Sequence, residues 1–595
     1  MCRIAGIISK IYTPEELRHK VALMCNVLKH GGPDDGGFYS ADEGSLVFGH
    51  RRLSIIDLTP NGHQPMADVA HKAWITFNGE IYNYPELKKQ LIKLGAIFHS
   101  GTDTEVIIQA YLHWGLEAFS KLRGMFAFAL YDRLKARTYL VRDSAGIKPL
   151  YYHIIGGQLI FASEIKAIKE SGMQVHENPE WPVKFLAYGH IPEPYTTLKD
   201  VYSLPKGTLL CWNHQAGTAQ ITPYTRSITD KWVTNIEEAH YNIKQALTAA
   251  VKRQLIADAD IGVFLSGGID SSLLTLLAAR EKKQGLKTVS IFFDESAYDE
   301  SAYQQQIFGK IGGEKFTHLV KQQDFDTFFP DVLNAMDMPT TDGVNSWFIS
   351  KYARQDGLKA VLSGIGADEL FGGYPSFDRI AHIKTLRSLP KALIKTLARL
   401  TDDKYRRLLF LTIDHPLADY LFLRGLFAPP KIAELLNCDE TQVCQTLFSN
   451  KSPVSFTDYT AETASMLETN LYMQNQLLRD TDVMSMSHGL EVRVPFLDED
   501  FQKTTNSIPP QIRLIKKQHK KILIDTFNDI LPKAVWDRPK MGFSFPLQKW
   551  MSNHPAIADQ SFYKNRAAQG VITNFRNNKL HWSKAFALYQ LQRHV

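Results

Sequence analysis

The sequence predicts a chain of two unlike parts, a layered α+β half followed by a parallel α/β half with helical additions. Three observations carry this expectation. At 595 residues the chain is too long for one ordinary hydrophobic core. Up to residue 212, short strand-like runs separated by turn signals dominate. From residue 236 onward, apolar strands alternate with helical stretches, the pattern of a parallel sheet covered by helices. The expected division is therefore 2–212, a linker at 213–235, and 236–595.

In the first part, strands are expected at 3–8, 45–50, 73–77, 125–131, 138–142 and 159–162. Turns such as Gly31-Gly32-Pro33-Asp34-Asp35-Gly36-Gly37 and Gly156-Gly157 separate them, and helices are expected at 14–29 and 84–94. The stretch 213–235 is polar and lacks clear periodicity, which reads as a linker. The second part opens with a helix at 236–253 and continues with a strand at 261–265, a helix at 271–283, and strands at 287–293 and 360–362. Beyond Pro390 the pattern is mostly helical, and no internal repeat is present.

Composition excludes several classes. Hydrophobic residues at 44% and charged residues at 22% are those of a soluble globular protein. No uninterrupted apolar run of about 18 residues is present, so no membrane span is expected. The N-terminus lacks the charged, apolar and small-residue regions of a signal peptide, so a cytoplasmic, reducing location is expected. Five scattered cysteines, without a CxxC pair, predict neither disulfides nor a structural metal. The net charge of +6 is modest. The basic stretch at 384–407 is interleaved with Leu at helical spacing, so it reads as solvated helix surface and not a nucleic-acid site.

The strongest chemical signal is Ile261-Gly262-Val263-Phe264-Leu265-Ser266-Gly267-Gly268-Ile269-Asp270-Ser271-Ser272. An apolar strand enters a Ser-Gly-Gly-x-Asp-Ser-Ser loop that opens a helix. Paired glycines allow a tight turn and close approach to a ligand. Hydroxyls and free N–H groups at the helix start make an anion site. The Walker A spacing and its Lys are absent. A Gly-Gly turn capped by Ser and Asp occurs freely in proteins, so the reading leans on context. That context includes Ser363-Gly364-Ile365-Gly366-Ala367-Asp368-Glu369-Leu370-Phe371-Gly372-Gly373-Tyr374, again a strand end followed by a Gly-rich acidic loop. It also includes the run from Arg479 to Asp498, which contains Ser485-Met486 and Glu491-Val492-Arg493-Val494-Pro495-Phe496-Leu497-Asp498. His519-Lys520-Lys521 and Arg538-Pro539-Lys540-Met541-Gly542-Phe543 follow.

The first part has a chemistry of its own. Cys2 follows the initiator Met, and removal of that Met leaves a thiol beside a free α-amine. A thiolate is a nucleophile suited to amide hydrolysis, and an amine with a pKa near 8 can act as its base. Downstream stand His50-Arg51-Arg52-Leu53-Ser54-Ile55-Ile56-Asp57, Gln64-Pro65, Phe77-Asn78-Gly79-Glu80-Ile81-Tyr82-Asn83 and Ser100-Gly101-Thr102-Asp103-Thr104-Glu105.

Taken in order, these motifs resemble the glutamine-hydrolysing asparagine synthetases, a class II glutamine amidotransferase fused to an ATP-pyrophosphatase-type domain. The likeness spans about 2–550 and is weakest at 378–461. It implies an N-terminal-nucleophile αββα sandwich, then an ATP-pyrophosphatase α/β domain, with a channel for ammonia between them and often a homodimer. Carried over, the resemblance makes Cys2 the nucleophile, with Asn78 and Gly79 stabilising the oxyanion. Arg52, Ile55, Glu80 and Asp103 hold glutamine, Arg52 gripping its carboxylate, while Arg51 is structural. ATP falls to Phe264, Ser266, Gly267, Gly268, Asp270, Ser271, Ser272, Ile291, Ser363 and Gly364. Mg²⁺ falls to Asp270 and Asp368, and the leaving pyrophosphate to Lys520, with Lys521 as the alternative in register. The carboxylate acceptor falls to Ile365, Glu369 and Tyr374. The substrates implied are glutamine, ATP and aspartate.

One position departs from the family pattern. Asparagine synthetases usually carry Glu where this chain has Ile365, and the β-lactam-forming relatives carry Tyr. Isoleucine can neither take a proton nor pair with an ammonium. Either another carboxylate such as Glu369 substitutes and aspartate remains the acceptor, or the acceptor is a different acid, such as a sugar acid, a peptide or a natural-product intermediate. A catalytically silent scaffold is the third reading, and the intact Cys2, Arg52, Asn78, Asp103, Asp270 and Asp368 argue against it.

Overall fold

The computed structural model describes residues 2–41, 44–225, 232–400, 403–515 and 518–594. Two six-stranded antiparallel sheets stack in the first part. One runs Val201–Ser203, Tyr151–Ile155, Gln158–Ala162, Cys2–Ile8, Leu46–Arg52, Asp35–Ser40 across its width. The other runs Thr218–Pro223, Thr208–Asn213, Arg137–Arg142, Gly124–Asp132, Ala73–Ile81, Met66–Ala67. Strand alternation explains why they stack. Ile4 and Ile8 on one side of the first strand join Phe48, Phe161, Leu140 and Trp212 between the sheets. Ala5 and Ile7 turn the other way, toward Leu17, Val21 and Met24 of the helix Pro14–Val27. That helix starts where it does because Thr13 and Glu16 form a capping box ahead of Pro14. On the outer face of the second sheet, Phe77 and Phe128 pack on Leu87, Val106 and Ile107 of the helices Tyr84–Lys93 and Asp103–Trp114. The layers are helix, sheet, sheet, helix, as the family resemblance implies.

The second part is built on a five-stranded, wholly parallel sheet in the order Glu314–Val320, Lys287–Phe293, Ile261–Phe264, Ala360–Leu362, Glu491–Arg493. Chain order reverses between Ile261–Phe264 and Ala360–Leu362. That reversal is the topological switch point at which open α/β sheets bind ligands. Both glycine-rich loops leave the carboxyl ends of these two strands.

Several elements go beyond the sequence expectation. The helix Asp103–Trp114 was not expected, since its Ser-Gly-Thr-Asp start reads locally as a turn; Thr102 caps it by accepting from Glu105 N. The strands Glu314–Val320 and Glu491–Arg493 lie in segments without a clean apolar run. The stretch expected as a linker first forms an edge strand, Thr218–Pro223, largely exposed and therefore without an apolar pattern; its residues 226–231 lie outside the described residues. In the basic stretch at 384–407, residues 383–387 and 391–400 are helical, and 401–402 lie outside the described residues. Eleven residues, Glu468–Leu478, are π-helical, a rare conformation met mostly as single turns at functional sites. Among the described residues no helix is long and apolar enough to cross a membrane.

Buried charges join the two parts. Arg3 is fully buried, with Nε 2.6 Å from Glu164 Oε1 and Nη1 donating to Asp482 Oδ2 at 2.7 Å. Lys148 Nζ reaches the other oxygen of Asp482 at 3.1 Å. Farther along, Arg493 donates to Glu491 at 2.5 Å and to the carbonyls of Gln254 and Ile256 at 2.7 Å, and its Nη2 stands 3.7 Å from Glu80 Oε2. Removing the acid from such a cluster strands the cations in the interior. Asp482→Ala is therefore expected to destabilise the fold by about 3–5 kcal/mol, seen as an earlier unfolding transition by calorimetry; unchanged unfolding would refute the role.

Candidate active sites

The first site opens at one end of the sandwich. Antiparallel register sets Cys2 opposite Arg52. The backbone nitrogen of Cys2 donates to Asn78 Oδ1 at 3.2 Å, which turns Asn78 Nδ2 away, buried and without a hydrogen-bond partner. A buried amide donor with nothing to bond is costly, and a free donor of this kind is the type of group that can hold an oxyanion. Gly79, at φ +152°, runs so close to the neighbouring strand that a Cβ would meet Met125 O at 2.1 Å. Burial pushes the Cys2 thiol up from its ordinary value, opposed by the Leu53 backbone and the Arg52 charge. A thiol in this state needs a base during attack.

Around Cys2 lies a cleft of about 320 Å³, lined by Arg52, Ile55, Gln64, Glu80, Thr102 and Asp103 among others. Arg52 is oriented by three carbonyls: Nη1 donates to Thr59 O at 3.0 Å, and Nη2 to Asp57 O at 2.5 Å and Ile56 O at 3.4 Å. Asp103 Oδ2 accepts from Ile81 N at 2.8 Å, and burial raises its carboxyl to about 6. Ile55 lines the cleft, its carbonyl accepting from Asp258 and Ala259 N–H. Arg51 points away, donating to Cys25 O and Asn26 Oδ1, in keeping with a structural role. Gln64 is a wall residue that the motif contains but whose role sequence reasoning missed. It accepts from Phe77 N at 2.8 Å and donates to Thr104 Oγ1 at 3.2 Å.

The second site sits at the switch point. Ser266 Oγ and Ser271 Oγ lie 2.9 Å apart, and Ser266 Oγ accepts from Gly268 N at 3.3 Å, which folds the loop over the start of the helix Ile269–Lys282. Ser272 Oγ and Asp270 Oδ1 are buried without hydrogen-bond partners. The two glycine-rich loops touch, since a Cβ on Gly364 would stand 2.8 Å from Asp270 Cβ. Lys520 Nζ bridges Asp270 Oδ2, at 2.5 Å, and Asp368 Oδ1. Lys540, for which the sequence motif alone implied no role, joins them, reaching Asp368 Oδ1 at 2.8 Å and Gly373 O at 2.6 Å. Burial opposes ionisation of Asp368, but Lys520 and Lys540 hold its carboxyl down at about 2. Burial pushes Asp270 up despite Lys520, with Asp368 adding repulsion. Lys521 instead pairs with Asp525 at 2.7 Å, so Lys520 is the lysine that reaches the site.

Arg538 closes the loop from outside, donating to Gly267 O at 3.1 Å and Glu300 Oε1 at 2.5 Å while stacking on Tyr303. Ser363 N donates to Arg493 O at 2.8 Å. Phe264 is half-buried at the strand end. Ile291 is buried, and its carbonyl accepts from Gln304 Nε2 at 3.1 Å, so that backbone acceptor is engaged within the protein. Beside Asp368, burial pushes the Glu369 carboxyl up to about 7, with the Asp368 charge adding to it, and Glu369 accepts from Tyr374 OH at 2.7 Å. Ile365 is half-buried against the core in the same loop. Among the described residues no cluster holds three or more metal-ligating side chains.

Comparison with known proteins matches residues 1–225 to a glutamine amidotransferase domain and residues 242–574 to asparagine synthase. The chain is 30% identical over 567 residues to a glutamine-hydrolysing asparagine synthetase of Bacillus subtilis, covering 93% of this chain and 88% of that one. It is 28% identical over 587 residues to the amidase chry2 of Gibberella zeae, covering 88% and 84%. A second amidase, chyE of Penicillium rubens, is 28% identical over 600 residues, covering 90% and 85%. The chain belongs to the asparagine synthase family, ATP-dependent ligases that use glutamine as amide donor.

Proposed function

We propose that residues 2–212 hydrolyse glutamine, that residues 236–595 activate a carboxylate with ATP in the cytoplasm, and that the acceptor is aspartate, giving asparagine. The observation that carries the ligase half is the Asp270–Lys520–Asp368 bridge at the switch point, where two carboxylates and a lysine converge on an anion-binding loop. In the first half-reaction Cys2 Sγ attacks the glutamine δ-carbonyl, and the α-amine freed by removal of Met takes the thiol proton. Asn78 Nδ2 and Gly79 N–H hold the oxyanion, while Arg52 and Asp103 hold the α-carboxylate and α-ammonium. The protonated α-amine returns that proton to the amide nitrogen as the C–N bond breaks, ammonia leaves, and water cleaves the thioester to glutamate and the free thiol.

In the second half-reaction an acceptor carboxylate oxygen attacks the α-phosphorus of ATP and pyrophosphate departs. Ammonia then displaces AMP from the acyl carbon. Ser266, Gly268 N–H, Ser271 and Ser272 cradle phosphate oxygens, and Lys520 follows the departing charge. Asp270 and Asp368 suit a hard cation, and the unpartnered Asp270 Oδ1 supports this fit. Asp270 and Asp368 would hold Mg²⁺, which when bound neutralises phosphate charge. Ammonia must reach the second site without meeting bulk water, where protonation would remove its lone pair.

Ile365 and the likeness to two fungal amidases favour a second reading, in which the same chemistry amidates another carboxylate. ATP–pyrophosphate exchange across a panel of acids separates the two: aspartate-dependent exchange is expected, and its absence beside exchange with another acid would establish the second. Cys2→Ala should abolish glutamine-dependent synthesis and spare synthesis from ammonia; loss of both would sink the division of labour. Asp103 must be ionised to accept from the glutamine ammonium. As pH falls below about 6, the KM for glutamine should rise about tenfold per unit, and Asp103→Asn should show a high KM without that slope.

A further inference from the structure

The set of charges around the acceptor loop has one member far away in sequence. Arg424 ends the helix Pro416–Arg424, inside the segment where the family resemblance is weakest, yet it lies against Tyr374 of the second glycine-rich loop. Its guanidinium carbon is 4.4 Å from the centre of the Tyr374 ring and 3.5 Å from that of Tyr472. Its Nε donates to Glu468 Oε2 at 2.7 Å, and Ser376 Oγ donates to the other oxygen of Glu468. Two aromatic faces and one carboxylate thus fix the plane of the guanidinium. Among the described residues Nη1 and Nη2 have no hydrogen-bond partner, and the Arg424 side chain is 22% exposed. The edge of the fork is left open.

Position makes that open edge informative. The Tyr374 ring also carries Lys540, whose Nζ is 4.8 Å from its centre and 2.8 Å from Asp368 Oδ1. A single tyrosine ring therefore separates Arg424 from the lysine that holds Asp368. Glu468 and Tyr472 both come from the π-helical segment Glu468–Leu478, a backbone form that is rare and tends to be kept where it serves a site. Ile365 brings no charge to the acceptor. A planar fork with free donors is the protein's best match to a carboxylate.

Resting on the ligase reading above, we infer that Arg424 selects the acceptor by pairing with a second carboxylate, one carried by the acid in addition to the carboxyl that is adenylated. Glu468 and Tyr472 are positioning residues for it. A monocarboxylate would leave the fork unpaired, and a dicarboxylate would meet it edge-on.

The test is ATP–pyrophosphate exchange by the full chain with dicarboxylic acids, aspartate among them, each paired with the half-amide that neutralises the second carboxyl. The unsubstituted protein is expected to prefer the diacid. Arg424→Ala should raise the KM for the diacid about 10–100-fold, leave kcat and the KM for ATP near their original values, and erase the preference over the half-amide. Arg424→Lys, which keeps the charge without the fork, should recover part of it. Glutamine hydrolysis at Cys2 within twofold of the original verifies folding. A preference that survives Arg424→Ala, an acceptor lacking any second anionic group, or parallel loss of ATP affinity and glutaminase activity would each overturn the assignment. Exchange with no acid at all in the unsubstituted protein would overturn the ligase reading and this inference with it.

Discussion

A buried cation one residue from Cys2 constrains everything around it. Arg3 adjoins Cys2 in the same strand, and its guanidinium has no access to water. In a low-dielectric interior it must keep its carboxylates, Glu164 from its own sandwich and Asp482 from the far part of the chain. Lys148 leans on the same Asp482, and Arg493 stands between Glu491 of the parallel sheet and Glu80 of the cleft around Cys2. The two sites are thus referenced to one another by charges that cannot slide without exposing an unpaired ion to apolar surroundings. Such seams do not maximise stability, but they fix register. The cleft around Cys2 and the switch point of the parallel sheet are thereby held in one fixed relation.

At the switch point the same economy of charge appears in another form. Asp270 and Asp368 repel; Lys520 sits between them, and Lys540 adds its charge at Asp368. Two carboxylates and two lysines leave the cluster balanced in charge. Close approach is what the glycines provide: Gly364 lets one loop lie on Asp270, and Gly373 lies where any side chain would collide with Asp368.

Much of this was legible in the chain because it is local. The run from Ile261 to Ser272 contains its strand, turn and helix start in order, and the structure folds it so. Arg52 could be told from Arg51 because the family arginine directly precedes the Leu-Ser-Ile run; in the structure Arg51 turns to the other face of the strand and reaches the helix that carries Cys25. The helix after Thr102 was not legible, since its four buried opening residues look like a turn motif before packing is known. Lys540 carried no mark that distinguishes a site lysine from a surface one. Arg424 was invisible for a deeper reason: it is 50 residues from Tyr374 in a segment of no recognisable pattern, and only tertiary folding stacks the two. Ile365 is legible as an uncharged side chain in an acidic loop, and nothing beside it in the chain points to Arg424.

The π-helical turn also sets a phase. Glu468–Leu478 runs without a break into the helix Arg479–Met486, so Tyr472 and Asp482 share one continuous rod. An α-helix turns about 100° per residue. Losing one residue from the wide segment would therefore rotate everything beyond it by roughly that angle. Asp482 would swing off Arg3 and Lys148 while Tyr472 stayed with Arg424. The rod keeps the Arg424 end and the seam in step, much as the angular setting of two cams on one shaft determines which valve opens when.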